Sequence, residues 1–197
     1  SMNQKVGRML LLNQSCRRRT FLKTKELTRD VVRHANRVVH SQFANMGEYN
    51  KSPHFLPENQ KRVRDVLVKL KNQLPKSTDH KLLDIGCGTG FILHLASDFF
   101  DKLYGIDITD DMLNKVDLNK KNIQVQNAFA EDVPFEDEFF DMATAYSFLD
   151  HVPKYEDVFQ EAYRVLKPNG IFYADLNPNK AFNNMLYTVS EGYASDQ

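Results

Sequence analysis

Apolar positions recur at two different spacings along this chain of 197 residues, and the change of spacing marks its organisation. Between residues 26 and 45, Leu27, Val31, His34/Ala35, Val38/Val39 and Phe43 fall at helical spacing and predict a long amphipathic helix leading into the domain. Pro53 and Pro57 interrupt the pattern. A second helix is expected from Glu58 to Leu74, with Val63, Val66/Leu67 and Leu70 on one face, and Pro75 ends it. From there short apolar runs alternate with helical patterns. Strands are expected at Lys81–Ile85, Leu103–Ile108, Ile123–Ala128, Phe140–Ser147 and Gly170–Asp175. Helices are expected at Phe91–Phe100, Asp110–Leu118 and Val158–Leu166. This alternation predicts an α/β fold, a doubly wound, mostly parallel Rossmann-like sheet with helices on both faces. Ligands then bind at the carboxyl ends of the central strands, where the strand order reverses. After Asp175 the pattern predicts a loop, a short helix over residues 181–189 and a polar tail.

Composition narrows the picture. A chain that is 42% hydrophobic, with 14 Phe, can bury one good core and hardly two. The expected division is a basic helical extension, residues 1–45, and one domain over residues 46–197. Lys+Arg and Asp+Glu both number 26, yet residues 1–45 carry ten basic and two acidic side chains, leaving +8 ahead of a body of −8. Such an arm reads most simply as a solvated basic face, with an anionic partner as the alternative. Only Cys16 and Cys87 are present, which excludes a disulfide framework and fits a reducing, cytoplasmic setting. No stretch approaches the roughly 20 apolar residues needed to cross a bilayer. Arg18-Arg19-Thr20-Phe21-Leu22-Lys23 has the form of a twin-arginine signal, but the polar run after it lacks the apolar segment such a signal requires. An arginine-rich, acid-poor start also has the form of an organellar transit peptide.

The chemistry concentrates in Leu82-Leu83-Asp84-Ile85-Gly86-Cys87-Gly88-Thr89-Gly90, which runs from a buried strand through a glycine turn into a helix. Glycine lets the backbone pass close to a ligand. A dinucleotide fingerprint wants a small residue three positions after the second glycine, and this chain has Phe91 there, so the spacing is G-x-G-x-G. Asp107, 17 positions beyond Gly90 at the end of the second strand, can accept hydrogen bonds from both hydroxyls of a ribose.

Taken with Ala130-Glu131-Asp132-Val133-Pro134-Phe135, Phe139-Phe140-Asp141 and Arg164-Val165-Leu166-Lys167-Pro168-Asn169-Gly170, these residues resemble the class I S-adenosylmethionine-dependent methyltransferases. Within them the resemblance is to the ubiquinone/menaquinone-biosynthesis group, and it covers about residues 40 to 176. It implies that Asp84, Gly86, Gly88 and Gly90 surround the methionine end of the cofactor, with Tyr146 beside its amino group. Asp107 would hold the ribose, Ile108 and Met112 would line the adenine pocket, and Ala130 would offer its backbone N–H to the adenine ring. Phe43 to Tyr49 is similar to the segment that folds over the cofactor in this group. Phe129 departs from the pattern: an Asp that receives the adenine amino group often stands there, so adenine recognition is expected to be more apolar. Asn169, replacing a turn glycine, tolerates the left-handed conformation.

Methyl transfer from a sulfonium needs an aligned nucleophile and a dry site more than catalytic side chains. His151, just after the fourth strand, is the candidate base for the acceptor, against the plainer reading that it packs or caps its loop. Glu161 and Arg164 read as a surface or interface pair, and His94 and Cys87 as packing residues. Phe99, Phe100, Phe135, Phe139 and Phe140 read as core, while Phe43, Tyr49, Tyr146 and Phe148 could line a pocket. No cluster has metal-ligand spacing, so no metal is expected.

The resemblance implies that the acceptor is a small organic molecule. Methylation of nucleic acid or protein has only the basic arm in its favour, because the Asn/Asp-Pro-Pro-Tyr/Phe motif of exocyclic-amine methylation is replaced by Ala145-Tyr146-Ser147-Phe148. A cofactor-binding module without turnover is the reading from another class. A complete class I fold has two further strands after the fifth, so the chain is expected to lack its C-terminal strands. A fifth strand left as an edge could pair with a second copy in a homodimer.

Overall fold

The computed structural model of the protein describes residues 28–46, 53–152 and 154–176; Tyr49 and the short helix expected over 181–189 lie outside them. Helix α1 is Arg29–Met46, and after a 3-10 turn at Pro53–Phe55 comes α2, Pro57–Lys71. Then follow β1 (Lys81–Ile85), α3 (Phe91–Ala96), β2 (Lys102–Asp107), α4 (Asp110–Leu113) and β3 (Ile123–Asn127). The described chain continues through β4 (Phe140–Tyr146), α5 (Tyr155–Val165) and β5 (Leu166–Asp175).

The five strands are all parallel, in the order β3-β2-β1-β4-β5. The chain moves outward from β1 to β3, then returns to β1's other side for β4, so the reversal lies between β1 and β4. That is the doubly wound arrangement expected from the alternation, and it opens a crevice above the carboxyl ends of β1 and β4.

Alternating side chains divide between two cores. Leu82, Leu103 and Met142 face α2 and α3 with Val63, Leu67 and Ile92, while Leu83, Ile85, Ile106 and Ala143 face α5 with Val158, Ala162 and Val165. Phe140 and Met142 are two apart yet belong to opposite cores. The pairing of β4 with β5 shifts register between them, and this bulge turns the strand over by one position. It also explains why β5 starts at Leu166 rather than at Gly170: Leu166 pairs with Phe140 before Asn169 turns through a left-handed φ of 65°.

Two helices are shorter than expected. Helix α3 stops at Ala96 because the Ser97 hydroxyl donates to the His94 carbonyl at 2.7 Å, taking an acceptor the next turn would need. Helix α4 stops at Leu113, and Lys115 and Val116 tighten into i to i+3 bonds. The pair Glu161 and Arg164 forms, but as a clamp. Arg164 donates to the Phe135 and Val133 carbonyls at 2.8 Å and Glu161 accepts the Val133 N–H, locking the loop after β3 onto α5.

Phe140 is fully buried, its ring edge-on to Phe135 at 4.9 Å and to Phe139 at 5.0 Å. Replacing it with Ala is expected to cost about 3–5 kcal/mol of folding free energy. Urea unfolding of Phe140→Ala checks this, and a loss below about 1 kcal/mol would mean that the bulge does not anchor the second core.

Candidate cofactor and acceptor site

The loop after β1 turns through left-handed glycines, with φ of 72° at Gly86, 51° at Gly88 and 86° at Gly90. The Ile106 carbonyl accepts the N–H groups of Gly86 and Cys87, and Asp107 Oδ2 accepts that of Gly88 at 3.0 Å. The other oxygen, Oδ1, accepts the Thr109 N–H at 2.9 Å. One carboxylate thus sets the glycine loop against the start of α4, and each oxygen keeps a lone pair for a ligand hydroxyl.

Two cavities open over this loop. The larger, about 710 Å³ counted to its open mouth, is lined by Gly86, Gly88, Asp107, Ile108, Met112, Ala130 and His151 among others. The smaller, about 310 Å³, is lined by Asp84, Gly86 and Tyr146 with His54 and Phe91. They share Gly86 and Ser147, and the Phe148 ring lies directly over Gly86, where a Cβ would meet its Cδ2 at 2.1 Å.

Burial pushes the Asp84 carboxyl up to about 7, while the Thr144 hydroxyl, donating at 2.7 Å, works in the opposite direction. A cation arriving in the smaller cavity would return Asp84 to its charged form. Tyr146 packs on Phe91 and accepts a hydrogen bond from Asn59 at 3.0 Å, and burial raises its phenol above the ordinary value.

Most expected residues therefore come together, and three need separate statement. Gly90 lines neither cavity and serves as the left-handed entry to α3. Phe129 lines neither; its half-buried ring carries the guanidinium of Arg33 at 3.8 Å. Phe43, half exposed on α1, also lines neither, with its ring 6.5 Å from that of His40.

Helix α1 turns a largely polar face to the site and leaves most of its apolar stripe exposed. Val31, Val38, Val39 and Phe43 are about half exposed, while Val32, Arg33, Asn36 and His40 form a wall of the larger cavity. The cleft offers mostly polar partners: Asn36 donates to the His151 carbonyl, Arg37 to the Ile108 carbonyl at 3.2 Å, and Arg29 pairs with Asp157. The boundary expected after residue 45 falls at the end of this helix, which packs against α4. The His40 ring meets that of His151 edge-on at 4.9 Å, and burial, then the neighbouring His151, hold its imidazole below the ordinary value. Asp150 lies 3.7 Å from His151 Nε2. His94 approaches the Asp117 carbonyl and Cys87 is buried with its thiol pushed up by burial, so both pack.

Residues 83–174, spanning β1 to β5, match the family described as methyltransferase domain. These residues form a methyltransferase domain. Over 140 residues it is 32% identical to the demethylmenaquinone methyltransferase of Staphylococcus carnosus, covering 68% of this chain and 57% of that protein. It is 38% identical over 112 residues to the ubiquinone/menaquinone biosynthesis C-methyltransferase of Rickettsia felis, covering 51% and 45%. The chain thus spans about half the length of these two relatives. The solved structure of a phosphoethanolamine N-methyltransferase from Haemonchus contortus shares the fold, with a TM-score of 0.63 at 16% identity over 79% of this chain and 34% of that one. S-adenosylmethionine is the co-substrate of this methyltransferase family. Among the described residues no helix is long and apolar enough to cross a membrane.

Two predictions concern the cleft. Gly86→Ala should destabilise the domain, and in a Phe148→Ala background, where the ring contact is gone, about 1–2 kcal/mol should remain from the left-handed backbone alone. A double-mutant cycle by denaturant unfolding reads this, and full recovery in the double mutant would locate the whole penalty in the ring contact.

The second concerns His40, whose folded value lies below the unfolded 6.5. Its contribution to stability is therefore complete above about pH 6.5 and is lost as pH falls through the folded value, because the unfolded state binds the proton more readily. His54, lowered by burial, adds in the same direction. His40→Gln should flatten the dependence of unfolding free energy on pH below about 6.5. An unchanged slope would show that His40 is not desolvated.

Proposed function

We propose that this domain transfers the methyl group of S-adenosylmethionine to a small organic acceptor. The observation that carries the reading is the pair of cavities meeting at Gly86 and Ser147, one faced by Asp107 and the other by buried Asp84. An elongated ligand with a ribose at one end and an ammonium at the other fits that placement of carboxylates. Asp84, Gly86, Gly88 and Tyr146 would hold the methionine end, and Gly90 would set the direction of α3 behind the loop. Asp107 would bind the ribose hydroxyls, with Ile108, Met112 and the Ala130 N–H around the adenine. Phe43 and Tyr49 belong to the segment that would close over the bound molecule, and Phe129 would act from behind the cavity wall.

When bound, S-adenosylmethionine supplies a methyl group already activated on a sulfonium. The chain's own part is to align and to dry the site. Helix α1 roofs the cleft, and Phe148 can shield the junction of the two cavities. His151 would take the acceptor's proton on Nδ1, with Asp150 3.7 Å from its Nε2. Quinone methyltransferases among the relatives support a small acceptor. The functional unit would include α1, since that helix supplies a cavity wall. Cys87, buried with a free thiol, supports a cytoplasmic setting, and β5, an edge strand among the described residues, supports pairing with a second copy.

Titration calorimetry with S-adenosylhomocysteine tests the reading. The unaltered chain should bind, and Asp107→Ala should lose at least about tenfold in affinity. No binding by the unaltered chain would overturn the function; binding indifferent to Asp107→Ala would overturn the ribose contact. His151→Ala should lower methyl transfer without weakening S-adenosylhomocysteine binding. Binding without transfer to any acceptor in a broad screen would favour a module without turnover.

A further inference from the structure

Arg33 reaches the larger cavity from α1, outside residues 83–174 that match the family. Its guanidinium lies flat on Phe129, Nη2 is 3.5 Å from Glu131 Oε2 and Nη1 is 3.8 Å from Asp30. The remaining nitrogen, Nε, is buried with no hydrogen-bond partner, one of two such side-chain atoms among the described residues. Leaving a buried guanidinium N–H unpaired is costly, so its position on a cavity wall points to an acceptor that enters with a ligand. Glu131 lines the same cavity with only 5% of its side chain exposed, and its pairing distance to Arg33 is long for a hydrogen bond. A buried donor and a buried acceptor thus stand side by side on the wall, in the cavity where Asp107 would hold a ribose.

We propose that Arg33 and Glu131 together read the adenine edge of the cofactor. This rests on the proposed function, which places adenosine in the larger cavity. Adenine carries an exocyclic amino donor flanked by ring-nitrogen acceptors. The Glu131 carboxylate accepts from the amino group, and Arg33 Nε–H donates to a neighbouring ring nitrogen. Phe129 makes the arrangement intelligible: it gives up the acidic side chain at its position and becomes the platform for a guanidinium supplied by α1. The acceptor moves two positions along the chain, and the donor comes from another element. A base with a carbonyl in place of the amino group would set an oxygen against the Glu131 carboxylate, a repulsive contact that rejects it.

The test compares S-adenosylhomocysteine with S-inosylhomocysteine, its deaminated analogue, by calorimetry on the full chain. The unaltered protein should prefer the adenine form by at least about tenfold. Glu131→Gln, whose amide can donate to a carbonyl, should shrink or reverse that preference. Arg33→Met, which keeps an apolar stem on Phe129, should weaken the adenine form by about tenfold. Asp107→Ala should weaken both analogues alike and leave their ratio intact. If the unaltered chain binds neither, the proposed function fails and this inference with it. If it binds S-adenosylhomocysteine but the preference survives Glu131→Gln within about twofold, the inference alone is overturned. Circular dichroism establishes that each variant is folded, and should Arg33→Met not fold, the Glu131→Gln ratio decides.

Discussion

The Asp107 carboxylate is the contact on which the cleft depends. Register pairs Ile85 with Ile106, so Asp107 stands one residue beyond the paired part of β1, level with the glycine loop rather than with the strand. From there its two oxygens take the Gly88 and Thr109 N–H groups and tie the glycine loop to the loop that starts α4. Backbone acceptance of this kind leaves the carboxylate anchored but not saturated, which is what a ligand-binding acid requires. The parallel sheet supplies the level, and Asp107 turns it into a site.

The sheet was legible because its signals are local or periodic. Buried runs such as Leu82 to Ile85, turn chemistry at the glycines and strand-helix alternation all lie within a few residues of one another. Other boundaries depend on what a side chain bonds: the Ser97 hydroxyl ends α3 on the His94 carbonyl three residues back, and the distant bulge at Phe140 lets β5 begin four residues early. Arg164 and Glu161 have the spacing of a surface pair, and nothing near them in sequence reveals that Val133 and Phe135 lie beneath.

Helix α1 shows why the roof of the site was harder to read than its floor. Hydrophobic periodicity assumes that the protein side of a helix is apolar. Here the surface beneath it is a cleft with carbonyls and carboxylates at its rim, so Arg33, Asn36, Arg37 and His40 turn toward it, while Val31, Val38 and Val39 turn outward. The spacing of those polar residues was visible as a second stripe. What the sequence could not show is that this stripe had a polar surface to meet.

That inversion has an energetic consequence for how the site is assembled. In α1 only Ala44 is fully buried, and the helix is held by side-chain contacts to Asp157, Glu131 and backbone carbonyls. Partly exposed polar contacts of this sort contribute roughly 0.2–1 kcal/mol each, against several kcal/mol for the large apolar side chains that fix the sheet. The floor of the cleft is therefore rigid, while the roof sits at the low-stability end of the molecule, where elements that open and close are found. A ligand touching both would bind the floor on its own terms and add its contacts with Arg33 and His40 to the docking of α1. Those contacts come from α1, outside the segment that matches the family, so what α1 adds to binding is set independently of the floor.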